Sequence, residues 1–186
     1  MSLATGKYSA MNPEWLLQAQ PPGLYRTNLP AAMVADLAVL TTQVMAMVAM
    51  PVMAGDKISN LSFKSGATPA GTPTNWWFAL YDDSATAVLL AQTADQLTAA
   101  WAADTVKTLA LATAQVAPRN TVYYAAVMMK ATTPVSLLGV TVRDGGGFLT
   151  ADKPVARTGA GSLTTTAPAT QALSGAATIC PKVVAT

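Results

Sequence analysis

The chain has 186 residues, a net charge of +2, 11% charged residues and 52% apolar residues. Disordered chains carry more charge and fewer apolar residues, and nucleic-acid binders carry dense basic patches, so neither class fits. The absence of histidine removes Ser-His-Asp and Cys-His catalysis and His-based zinc sites, and a single cysteine, Cys180, removes an internal disulfide.

Much of the apolar content is alanine, which buries little area per residue. Stability then rests on many small contacts or on burial against other copies. The low charge suits a subunit packed among neighbours; codon usage in a GC-rich genome accounts for it equally well.

Residues 1–35 read as an arm. No signal peptide is expected, because residues 1–12 lack an apolar core segment. Asn12 and Pro13 form a helix start of one short turn, and Gln18 to Pro22 ends it. Residues 23–27 form a short edge segment. In this arm Trp15, Leu16, Leu17 and Tyr25 have no evident intramolecular partner, so they are expected to contact another chain, with Arg26 as a polar clamp.

Residues 36–143 read as an antiparallel β-sandwich. The first long strand is expected over 36–53, apolar on both faces and bent near Pro51. The apolar stretch 31–54 is no membrane span: Asp36, Thr41, Thr42, Gln43 and Pro51 interrupt it, and a soluble chain is expected. Met45, Met47, Met50 and Met53 fit gap-filling in a core better than an adaptable docking surface. After a turn at 54–56, a strand with imperfect alternation runs over 58–63. Residues 64–75 hold two glycines and two prolines and read as a loop.

The strand 76–81 follows, then a turn at 82–84 and a hairpin return over 87–91. Alternation places Trp77 and Tyr81 on one face and Trp76, Phe78 and Leu80 on the other. One tryptophan is therefore core, and the other is exposed or covered by a loop, the tail or another subunit. Residues 94–103 form either one or two helical turns or an extended excursion, anchored by Trp101. Strands over 106–111, 122–129 and 135–142 complete the sandwich.

Residues 144–186 read as an extension. Asp144 and three glycines form a flexible hinge that lacks the lysine and helix of a phosphate loop. The Thr/Ala-rich tail ends strand-like over 174–186 and is expected to rejoin the sheet. Cys180 reads as packing. The fold class is thus all-β, a jelly-roll or Ig-like antiparallel sandwich with two extensions. No internal repeat is present.

Chemistry is sparse. Glu14 is the only glutamate, and Asp82 and Asp83 sit in a hairpin turn where backbone reasons favour aspartate. Asp82, Asp83 and Asp95 supply too few oxygens for a calcium site. No catalytic residue, metal or cofactor is assigned, and a hydrolase ranks last. Trp76, Trp77, Tyr81 and Trp101 are candidates for the core or a protein interface or, less favoured, for stacking on a carbohydrate.

The segment 66–82 (GATPAGTPTNWWFALYD) and the segment 89–111 (LLAQTADQLTAAWAADTVKTLAL) resemble a recurring module of virion proteins in actinobacteriophages. The resemblance spans roughly residues 23–138. It implies a minor tail protein or a small head-associated protein and brings no catalytic residues. Collagen-like and coiled-coil segments are absent, which favours a compact capsid decoration protein over a tail fibre. The expectation is a virion structural protein on the outer head surface, made in the bacterial host cytoplasm. It would grip the major capsid protein or other virion subunits through its arm and tail and form a homo-oligomer, for example a trimer, without nucleic acid or membrane. The alternative is a tail-tip or head-surface module that binds a host-surface glycan.

Overall fold

Three long apolar runs, 46–52, 71–81 and 121–133, decide the architecture, because each becomes a strand in the middle of one sheet. The computed structural model describes residues 25–142, 154–173 and 177–186. In chain order the strands are β1 (Arg26–Thr27), β2 (Ala35–Val39), β3 (Ala46–Val52), β4 (Lys57–Lys64), β5 (Gly71–Tyr81), β6 (Thr86–Gln92), β7 (Val106–Val116), β8 (Thr121–Thr133), β9 (Ser136–Thr141), β10 (Ala156–Thr158), β11 (Thr170–Ala172), β12 (Ile179–Pro181) and β13 (Val183–Ala185). A single 3₁₀ turn, Ala31–Met33, precedes β2. No helix among the described residues is long and apolar enough to cross a membrane.

All strand pairs are antiparallel. The large sheet has the order β10-β3-β8-β5-β6-β11, and a second layer is made of the sheets β1-β13-β4-β7 and β12-β9-β2. A bridge between Ser65 and Leu137 links the two smaller sheets, and one between Thr93 and Leu111 ties β7 to the end of β6. The molecule is therefore a β-sandwich whose second layer curls toward one edge of the first.

Side chains alternate cleanly across the large sheet. Val48, Met50 and Val52 of β3, Trp76, Phe78 and Leu80 of β5, and Tyr123, Ala125, Val127 and Met129 of β8 face the second layer. Met45 and Met47, Trp77, Ala79 and Tyr81, and Tyr124, Ala126 and Met128 face the opposite way, and they too are buried. An antiparallel sheet with one wet face would show polar residues there. Here the C-terminal segment 154–173 crosses that face as a strap, which is why the runs are apolar throughout.

The strap is fastened at both sheet edges. β10 pairs with β3, and β11 pairs with β6. Its carbonyls accept the buried polar tips of the face below: between those strands Trp77 Nε1 donates to Thr164 O (2.8 Å) and Tyr81 Oη to Pro168 O (2.9 Å), and just before β10 Tyr124 Oη donates to Pro154 O (3.1 Å). A buried donor left unpaired costs about 1–3 kcal/mol, so the strap and these rings depend on each other. Residues 154–173 are thus part of the fold rather than a loose extension. The glycine hinge at 144–147 lies outside the described residues.

Several boundaries differ from the sequence reading. The strand expected over 36–53 is two strands in different sheets. Val44 N–H donates to Thr41 O (3.2 Å) and Gln43 has φ +61°, so the polar Thr-Thr-Gln stretch turns the chain from one layer to the other. β5 starts at Gly71, within the expected loop. Pro73 is tolerated there because the ladder with β8 shifts register between Pro73 and Asn75, and β6 pairs only with residues 79–81. The excursion after β6 is extended and contains no helix. The short edge segment near residue 26 is β1, and the C-terminal residues rejoin the sheet as β13 between β1 and β4. The turn at 54–56 closes with Asp56 N–H on Met53 O (3.0 Å), and Gly55 at φ +87° supplies the left-handed residue.

Candidate functional site

The aromatic residues singled out from the sequence are all interior. Trp76, Trp77, Tyr81 and Trp101 are each 0% exposed. Trp76 stacks against Trp101 with centroids 4.9 Å apart, and Phe78 completes the group at 5.6 Å from Trp101. Trp76 Nε1 donates to Ala99 O (2.8 Å) and Trp101 Nε1 to Thr105 O (3.2 Å), so the excursion is held on the sheet by Trp101. Trp77 and Tyr81 lie beneath the strap. Stacking on a sugar needs an open ring face. None of the four offers one, which corrects the carbohydrate reading of these residues and equally their reading as interface residues. Met45, Met47 and Met50 are buried core as well.

Arg26 was expected to clamp another chain. Instead its Nε and Nη2 meet the two carboxylate oxygens of Asp56 at 2.5 and 2.7 Å, inside the fold. Tyr25 is half-buried, and burial raises its phenol above the ordinary range. Trp15, Leu16 and Leu17 lie outside the described residues.

The carboxylates accept hydrogen bonds from nearby backbone and side-chain donors. Desolvation pushes the Asp82 carboxyl up, but hydrogen bonds from the Ser84 hydroxyl, Val88 N–H (2.8 Å) and Ser84 N–H outweigh it and hold the group below the usual carboxylate range. Asp83 receives Arg119 Nη2 (3.0 Å) and Thr121 Oγ1 (2.6 Å). Asp95 receives Trp76 N–H, Leu97 N–H and Asn75 Nδ2. Each holds a turn or strand end in place. Among the described residues no three His, Cys, Asp or Glu side chains come together to hold a metal. Cys180 is buried, and desolvation pushes its thiol up to about 11, so it is protonated at neutral pH.

The surface clefts among the described residues include two of similar size. One, of about 330 Å³, lies at the end of the sandwich between Asp82, Asp83, Arg119, Thr121 and Tyr123; there Arg119 pairs with Asp83, and Asp82 accepts from Ser84 and Val88. The other, of about 290 Å³, is a groove on the outer face of the second layer. Phe63 lies at its base, Val34, Val106, Leu138 and Val184 line it, and Lys64 and Lys182 sit among them. Val106 is 58% exposed, and Met33 in the 3₁₀ turn is 64% exposed. Sequence reasoning missed this groove. Its one signal was the solvent-side placement of Val106 and Val184 on strands whose other faces are core.

No family model and no curated protein sequence matches the chain.

Proposed function

We propose that the protein is a structural subunit of a phage virion, a capsid decoration protein that attaches to the outer surface of the head and catalyses no reaction. The observation that carries this reading is the resemblance of segments 66–82 and 89–111 to the virion module. In the fold these segments are one contiguous unit: β5, the β6 return, the Trp101 excursion and the start of β7. The use of the aromatic residues as core and of the aspartates as backbone acceptors supports a scaffold role over a chemical one. The exposed apolar side chains Met33 and Val106 beside a groove supply adhesive surface for assembly.

Imaging of virions labelled on this protein tests the reading. Label over the head supports decoration, label over the tail moves the subunit there, and unlabelled particles reject the virion role. A truncation that removes residues 1–24 tests attachment through the arm while sparing Arg26, whose partner Asp56 is in the core. Loss of incorporation with an unchanged melting temperature is the expected result, and normal incorporation rejects the arm.

A further inference from the structure

We propose that the groove on the outer face of the second layer is a docking site for an acidic protein segment carrying one bulky apolar side chain. The proposal rests on the virion reading, for which it names the contact with the partner.

The groove is built from separate parts of the chain. Ala31 opens the 3₁₀ turn and Val34 follows it; Ser62 and Lys64 project outward from β4, Val106 from β7, Leu138 from β9 and Val184 from β13, and Lys182 links β12 to β13. Phe63, between Ser62 and Lys64 on β4, turns its ring inward onto Phe78 with centroids 4.8 Å apart, so the base of the groove is backed by the core. The volume, about 290 Å³, is at the small end of ligand pockets, which begin at about 300 Å³. It takes one anchor side chain rather than a folded element. A pocket filled by one large apolar side chain is the usual energetic centre of a protein interface.

Charge selects the occupant. Two lysines line the groove and no acidic residue does. Asp36, opposite Leu138 in the β2–β9 ladder, instead accepts from Ala67 N–H at 3.2 Å. Neither lysine has an ion-pair partner among the described residues. Lys182 is half-buried, and desolvation lowers its ammonium below the ordinary range, so a carboxylate placed beside it relieves a cost already present. An apolar pit among unpaired ammonium groups complements carboxylates flanking an apolar anchor. A second copy fits worse. In a two-fold pairing of this face, lysines would meet lysines. Two lysines are also too few for a phosphate backbone, where binding needs several contacts.

The test uses the full chain, with fluorescein-labelled hexapeptides EDLFDE and KKLFKK as probes read by anisotropy. The acidic peptide is expected to bind at least ten-fold more tightly than the basic one. The double variant Lys64→Glu/Val106→Thr is expected to weaken it at least ten-fold without changing the melting temperature, because both side chains are exposed and no like charges are set opposite each other in the β4–β7 ladder. Equal binding of the two peptides, full binding by the variant, or no binding of the acidic peptide at millimolar concentration overturns the proposal. So does a wild-type dimer in sedimentation that the variant dissociates, which would make a second copy the occupant. Co-sedimentation with phage particles separates the two readings. Particles that take up wild type and variant alike remove the groove and leave the virion role standing. Acidic-peptide binding lost in the variant, without particle binding, keeps the groove and removes the virion role.

Discussion

Replacing Asp56 by alanine removes the carboxylate that fastens Arg26 of β1 to the sandwich. Asp56 accepts Arg26 Nε and Nη2 in a two-point contact and also Met53 N–H at 2.7 Å. The side chains of Arg26 and Asp56 are 10% and 9% exposed, so water screens the pair weakly. Breaking such a pair from one side costs about 3–5 kcal/mol, because the desolvation of the remaining charge is no longer offset by that bidentate contact. Met53 N–H loses an acceptor too, yet Arg26 lies on the two-residue edge strand β1 and can relax outward. We therefore expect about 3 kcal/mol for Asp56→Ala, the low end of that range. At this chain length each kcal/mol shifts the melting temperature by about 2–4 °C, so the drop is about 6–12 °C. Arg26→Met keeps the apolar stem and leaves Asp56 its Met53 N–H, and should cost less. The double variant should be more stable than the sum of the single losses implies. Guanidinium titrations followed by circular dichroism at 25 °C measure all three proteins. An Asp56→Ala loss below about 1 kcal/mol, or strict additivity, would show that the pair behaves as an exposed ion pair, contrary to its burial.

The strap should make the protein sensitive to alkali. Burial raises the phenol of Tyr81 well above its ordinary value and that of Tyr124 up to about 12. The stability tied to the neutral phenols is complete below the unfolded value of about 10 and is lost as pH climbs through the folded value. Absorbance at 295 nm and circular dichroism should show base-induced unfolding between those limits, and Tyr81→Phe/Tyr124→Phe should shift it to higher pH while lowering stability at pH 7. Trp101→Ala should cost about 3–5 kcal/mol, the range for deleting a buried aromatic, in denaturant titrations. Gly139→Ala places its Cβ 2.3 Å from the Cys180 carbonyl oxygen, a backbone atom that cannot step aside. It should therefore separate β12 from β9 and raise hydrogen exchange in the C-terminal strands. Cys180 should resist thiol reagents at pH 8 in the native state and react on unfolding, and rapid native labelling would contradict its burial.

Most strands were legible as period-two or continuous apolar runs between turn residues: the cores of β4, β5, β6, β7, β8 and β9 all carry that signal. Alternation alone also separated Trp76 from Trp77 onto opposite faces. It did not reveal what covers Trp77. Residues 154–173 are mostly Thr, Ala, Gly and Pro, and they bond to the sheet largely through backbone carbonyls, which every residue possesses and no side chain advertises. The break at Thr41–Gln43 was hidden for a related reason, since the residues on either side are equally apolar and only the choice of partner strand separates β2 from β3.

Local chemistry in the chain determined the all-β class, the antiparallel pairing, the turns at Gly55 and Asp82, and the lack of histidine chemistry, because each depends on neighbouring residues. Tertiary structure alone decided that Arg26 pairs with Asp56, that the strap seals the second face, and that Lys64, Val106, Leu138 and Lys182 surround one groove. Those contacts join residues tens of positions apart. Their existence depends on strand order and register, which short-range patterns leave open.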